Sequence, residues 1–178
     1  MESRYVDNQR LDELITTYSD MVYRIAMMRC QSREDAEDVY QEVFIKLVRY
    51  AGQLESDEHI KAWLIRVTIN QCNSLNTSSW KKKTSSFDDM LENGQEPSEV
   101  DEGIERAGEG DEMLQVVRQL KPEYRDVIYL FYYEDYSIRQ ISDALHETEA
   151  NVRVRLTRAR KKLKSMMEEK GMGPHGGF

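Results

Sequence analysis

Seven cations crowd into one short stretch of this chain. Arg153, Arg155, Arg158, Arg160, Lys161, Lys162 and Lys164 fall between Val152 and Lys164 with no acidic residue among them, an arrangement suited to holding phosphate. Guanidinium groups at a groove floor can also pair in bidentate fashion with guanine, so the same residues could bind a nucleic-acid backbone and read its sequence. Such groups must be held on a rigid element. Val152, Leu156, Ala159 and Leu163 recur at helical spacing, so the spacing predicts a helix with one apolar stripe and a basic remainder. Thr148 can cap it, with Asn151 three residues on. Just upstream, Ser137 can cap another short helix, with Gln140 at the capping-box offset and Ile138, Ile141, Ala144 and Leu145 as its stripe. Two capped helices joined by a short turn, the second one basic, describe a helix-turn-helix unit for DNA.

The chain's net charge is −8 over 178 residues, which at face value argues against a nucleic-acid ligand. The distribution reverses that impression. Between Phe87 and Glu112 eleven carboxylates face the single Arg106, giving that segment −10 and leaving +2 for the remainder. The segment 84–111 has no useful periodicity and contains Gly94, Pro97, Gly103, Gly108 and Gly110, so a flexible acidic linker is expected there.

Upstream of it, Leu14, Ile15, Tyr18, Met21, Val22, Ile25 and Ala26 step by three and four to a helix end near Cys30. Ser32 caps a second helix with Glu34 and Asp35 in its first turn and Val39, Val43, Phe44, Leu47 and Val48 as its apolar positions, ending near Gly52. A third helix presents Ile60, Trp63, Leu64, Val67 and Cys72 inward, and Trp80, Lys81, Lys82 and Lys83 close this part of the chain. Downstream, Met113 to Leu120 resumes order and Pro122 opens a further helix. The expected architecture is all-α: two small helical domains, 1–83 and 112–170, joined by the linker 84–111, with a disordered Gly-rich tail at 171–178.

No strand pattern, phosphate loop, nucleophile elbow or catalytic carboxylate pair is present, so an enzyme is not expected. Cys30 and Cys72 lie far apart in sequence within apolar helical patterns and are expected to be reduced core thiols. His59, His146 and His175 are scattered, and neither a metal site nor a cofactor is expected. The polar opening residues and the lack of a long apolar run point to the cytoplasm.

Three motifs together resemble the bacterial RNA polymerase sigma factors of the extracytoplasmic-function type. Asp35-Ala36-Glu37-Asp38-Val39-Tyr40-Gln41-Glu42-Val43-Phe44 is similar to the polymerase-binding helix of region two. Ala62-Trp63-Leu64-Ile65-Arg66-Val67-Thr68-Ile69-Asn70 resembles the helix facing the minus-ten promoter element. Leu120 to Ile128 with Val152 to Arg160 resembles region four, which reads the minus-thirty-five element. The motifs occur in the family's order and span nearly the whole chain outside the linker.

The resemblance implies a sigma factor that binds core polymerase and directs promoter recognition, melting and initiation; the alternative is a stand-alone helix-turn-helix regulator. Asp35, Asp38, Gln41 and Glu42 would share a polar face for the clamp helices of the largest polymerase subunit, with Phe44 and Leu47 as core or as the edge of that contact. At the minus-ten element, captured single-stranded bases would meet the loop 53–59, with Ser56 and His59, and then Arg66 and Asn70, while Trp80, Lys81, Lys82 and Lys83 add stacking and charge. At the minus-thirty-five element Thr148, Asn151, Arg153, Val154 and Arg158 would face the groove, and Arg155, Arg160, Lys161 and Lys162 would meet phosphates or the polymerase flap. An anti-sigma partner, holding the factor inactive and in some cases at the membrane, is also implied. Where the family carries Gly and then an apolar residue in the helix-turn-helix turn, this chain has His146-Glu147, which predicts a looser turn.

Overall fold

The computed structural model describes residues 7–83 and 112–172, with the side chains of 78–83 left aside. All regular structure among them is helical. The described residues fall into two compact units, one on each side of 84–111. The expected linker and the tail residues 173–178 lie outside the described residues.

The first unit packs three helices against one another: α1 (Asn8–Arg29), α2 (Arg33–Tyr50) and α3 (Asp57–Lys83), with a 3-10 turn at Ala51–Gln53. Each start has a local cause. Asp7 accepts from the Gln9 amide, the Ser32 hydroxyl accepts from the Asp35 amide at 3.1 Å, and the Ser56 hydroxyl accepts from the His59 amide at 3.2 Å, satisfying amides that have no carbonyl partner in a first turn. Val22, Ala26, Val39, Val43, Leu47 and Leu64 are fully buried on the faces their periods assign, joined by Ile65, while Trp63 and Val67, expected inward, are only half-buried. Thr68 is buried among them, its hydroxyl donating to Leu64 O at 2.6 Å, so the polar atom is satisfied within its own helix.

The far end of α1 is tied to α3. Arg29 donates to Asn73 Oδ1 at 2.6 Å, and Asn76 Nδ2 donates back to Arg29 O at 3.3 Å, supplying a partner to a carbonyl that the helix end leaves open. Beside them Cys30 and Cys72, 42 positions apart in sequence, bring their sulfurs to 3.8 Å as buried free thiols. The hydrogen bond to Cys72, with burial behind it, pushes the Cys30 thiol far above the usual thiol range. Iodoacetamide at pH 8 is therefore expected to modify Cys30 only as fast as the unit opens. Above pH ~8.5 the unfolded thiol ionises while the folded one stays protonated, so stability falls as pH rises, by up to about 1.4 kcal/mol per pH unit. Urea titrations at pH 8 and pH 10, with Cys30→Ala as reference, measure that slope.

The second unit comprises α4 (Glu112–Arg118), α5 (Pro122–Tyr132), α6 (Ile138–Leu145) and α7 (Glu149–Glu169). Pro122 opens α5, where its missing amide costs nothing. Ser137 and Gln140 form the reciprocal capping box of α6. The core joins Val116, Val117, Val127, Ile128 and Leu130 to Ile141 and to Val152, Leu156, Ala159 and Leu163 of α7. Gly171, at φ +66°, ends α7 as the Met172 amide bonds back to Met167 O at 3.0 Å, a left-handed closure that glycine makes without strain. Gly171 and Met172 thus form an ordered cap where the sequence suggested the start of a disordered tail.

Candidate nucleic-acid and protein interfaces

The second helix of the helix-turn-helix, α7, is anchored by its inner stripe, with Met167 extending the four predicted residues. Its outward residues Asn151, Arg153, Val154, Arg158, Lys161, Lys162 and Lys164 are exposed. Thr148 caps the helix, accepting from the Asn151 amide at 3.2 Å, so its oxygen serves the helix start. The positive end of the helix dipole lies here, at the turn that approaches base edges in this motif.

The cations do not form one class. Arg155 sits on the flank of the buried stripe and pairs with Glu147 at 2.9 Å, both side chains being 27% exposed. Arg160 donates to the Tyr132 hydroxyl at 2.6 Å and lies over the Phe131 ring at 5.1 Å. Both take part in the packing of their own unit, which leaves less of each guanidinium open to phosphate than at Arg153 or Arg158. Arg153 pairs with Glu149 at 3.1 Å, but that pair is exposed and adjacent in helical register, so it is worth little and can open to phosphate.

The turn also corrects expectation. His146 takes the left-handed conformation at φ 54°, ψ 43°, and the Glu147 amide closes on Ser142 O at 3.0 Å, a regular helix termination. Glu147 then accepts from Arg155 and, at 3.3 Å, from Asn151 Nδ2. Where an apolar residue would plug the core, an ion pair latches the turn to the helix, and the turn is closed rather than loose. Removing the latch in Glu147→Ala is expected to cost the second unit about 1 kcal/mol, seen as a melting point lower by roughly 4–8 °C; an unchanged melting point would mean that the pair contributes nothing.

In the first unit, Glu34, Asp38, Gln41, Ile45 and Val48 are exposed and descend one face of α2 in steps of four and three. Asp35 and Glu42 flank this stripe half-buried. Leu47 is fully buried and Phe44 is 8% exposed, its ring tilted by 59° against that of Tyr40 with centroids 4.8 Å apart, so both belong to the core. The apolar residues that α2 offers outward are Ile45 and Val48, 47% and 55% exposed. Val48 therefore leaves the inward stripe that the sequence had given it. Phe44 and Leu47, expected as core or as the edge of a contact, take the core position, while the steps from Asp38 to Gln41, Ile45 and Val48 were available in the sequence but not used.

On α3, His59, Trp63, Arg66 and Asn70 follow at four, three and four, with His59, Arg66 and Asn70 exposed and Trp63 half-buried against Tyr50, their rings 6.1 Å apart. Ser56 precedes them as the helix cap. Trp80, Lys81, Lys82 and Lys83 belong to the last turns of α3, but their side chains lie outside the described residues. Among the described residues no group of three His, Cys, Asp or Glu could hold a metal ion, and no helix is long and apolar enough to cross a membrane.

Comparison with known proteins bears on the same two units. Residues 14–81 match "Sigma-70 region 2" and residues 110–163 match "Sigma-70, region 4". The chain is 24% identical over 160 residues to the ECF RNA polymerase sigma factor SigM of Bacillus subtilis, covering 88% of this chain and 94% of that protein. It is 23% identical over 161 residues to the Mycobacterium tuberculosis sigma factor SigM, covering 90% and 79%. Among solved structures, the fold resembles the sigma factor RpoE of Bartonella quintana, in complex with the anti-sigma factor NepR, with a TM-score of 0.69 at 16% identity over 88% of this chain and 96% of that one. CnrH, in complex with the cytosolic domain of CnrY, gives a TM-score of 0.62 at 18% identity over 92% and 90%. Two regions in this order, on two helical units of the corresponding fold, define a sigma factor of the sigma-70 family. Within that family the chain belongs to the extracytoplasmic-function type, as its named relatives do.

Proposed function

We propose that this sigma factor divides promoter reading between its two units. The first binds core polymerase through the outward stripe of α2, acidic and polar at Glu34, Asp38 and Gln41 and apolar at Ile45 and Val48, against the clamp helices of the largest subunit. The same unit presents His59, Arg66 and Asn70 to bases captured from the minus-ten element. Unstacking such bases costs a few kcal/mol, which stacking and hydrogen bonding in the complex offset. The second unit lays α7 in the major groove at the minus-thirty-five element, with Asn151, Arg153 and Arg158 at base edges and Lys161 and Lys162 toward phosphates or the polymerase flap. The chain's own chemistry is binding, with reaction chemistry left to the polymerase, and it acts in the cytoplasm.

One observation carries the reading: α7 is sealed on its inner face by a complete apolar stripe while five cations remain exposed on the outer face, a division suited to a duplex. Two similarly folded proteins are each described with a partner, a sigma factor with an anti-sigma factor in one case, and control by an anti-sigma protein is proposed here too. The test combines the full chain with core polymerase and measures promoter-dependent transcripts. Stimulated initiation is expected; tight duplex binding with no stimulation on any promoter would return the chain to a stand-alone regulator.

A further inference from the structure

The outward face of α7 is not uniformly basic. Val154 is 46% exposed, and in the second unit it is the one large apolar side chain so open among the described residues. A lone exposed valine is ordinary on a solvated surface. This one occupies the centre of the face that enters the groove. At 3.6 residues per turn it lies opposite Val152, Leu156 and Ala159, one turn after Ala150 and one before Arg158. Asn151 and Arg158 flank it on one side, Arg153 and Thr157 on the other. Thr157 donates its hydroxyl proton to Arg153 O at 3.0 Å, so Ala150, Val154 and Thr157 bring no free side-chain donor to the middle of the helix.

The floor of the major groove presents one apolar group, the C5-methyl of thymine. Against guanine or cytosine, a valine would cover N7 and O6 or the N4 amine while giving them no partner, and desolvated polar edges without partners are costly. We propose that Val154 reads a thymine methyl in the minus-thirty-five element, at a T·A pair flanked by the base pairs that Arg153 and Arg158 contact, and so sets one position of promoter specificity. The inference rests on the promoter reading of the second unit. The two cations anchor the helix and favour guanine, and the valine between them supplies a preference that charge cannot.

The test uses holoenzyme assembled from the full chain and core polymerase, with a promoter library randomised over the minus-thirty-five element. The unaltered protein is expected to select thymine at one position, and Val154→Ala to relax that position alone. Deoxyuridine then replaces the selected thymine, removing only its methyl. Occupancy by the unaltered holoenzyme should fall about fourfold, the equivalent of ~0.8 kcal/mol for one methyl taken from water, whereas Val154→Ala should bind both duplexes alike. Because the truncated atoms are exposed, the melting point should not move. Selection of a G·C pair at that position, no loss with deoxyuridine, or equal loss in both proteins would each overturn the assignment. Relaxation of the flanking positions by Arg153→Ala and Arg158→Ala would show in those cases that the promoter reading stands without it; a holoenzyme that selects no sequence at this element would overturn both.

Discussion

Replacing Asp38 and Gln41 by lysine together is expected to weaken capture of core polymerase at least about tenfold, the equivalent of ~1.4 kcal/mol, with the first unit still folded. Both side chains are exposed on the outer stripe of α2, and the core contacts of that helix pass through Val39, Val43 and Leu47 on the opposite side. The double change turns an acidic stripe basic against a partner surface expected to be basic. Like charges brought together at an interface repel and slow the encounter. Exposed charges are screened over about 8–10 Å at ordinary ionic strength, so the defect should shrink as salt rises. Fluorescence anisotropy with labelled sigma factor, at two salt concentrations, measures both effects. Ser substitutions at Ile45 and Val48 should instead weaken capture in a nearly salt-independent way, since what they remove is apolar burial. If the lysine variant bound with unchanged affinity while its melting point held, α2 would not be the polymerase face.

The helices were legible because their signals are local. Ser32, Ser137 and Thr148 cap as their side-chain chemistry dictates, and the stripe Val152, Leu156, Ala159, Leu163 is buried residue for residue. The basic face of α7 was legible for the same reason, since a run of cations at one flank of an apolar stripe has only one place to go. What sequence could not supply was the sorting of similar residues by tertiary partner. Arg155 and Arg160 look like Arg153 and Arg158 in the chain, yet they are claimed by Glu147, across the turn, and by Tyr132, 28 positions away on another helix. The proximity of Cys30 and Cys72 is likewise a product of packing α1 on α3. On α2 the error was of another kind. Val48, placed inward by its spacing, is adjacent in helical register to Leu47 at the edge of the apolar stripe, and packing leaves it exposed with Ile45 while Phe44 and Leu47 stay in the core.

Leu156→Ala is expected to weaken reading of the minus-thirty-five element, and to abolish it above the lowered melting point of the second unit, without touching a residue of the DNA face. Leu156 is 2% exposed at the middle of the α7 stripe, the helix against which α4, α5 and α6 all pack. Truncating a buried leucine costs about 2–5 kcal/mol, the spread reflecting how far the site can close over the cavity. A unit of this size carries roughly 0.05–0.15 kcal/mol of stability per residue, on the order of 3–9 kcal/mol in all, so the loss takes from a quarter to the whole of it. The cations of α7 would remain in the chain but lose the rigid spacing that places guanidinium groups at successive base edges. Charge alone would then hold phosphate without discrimination. The first unit has its own core, in Val22, Val43, Leu47 and Leu64, and should melt where it did before, keeping polymerase capture intact. Thermal unfolding by circular dichroism, beside footprints on a promoter with intact and scrambled minus-thirty-five elements, reads both consequences. Arg158→Ala serves as the contrast: it should lose discrimination at its own base pair while the melting point stays. If Leu156→Ala kept the discrimination of the unaltered protein, the groove-facing residues would be held by something other than the α7 stripe; if it unfolded both units together, the division of the chain into two independently stable parts would be wrong.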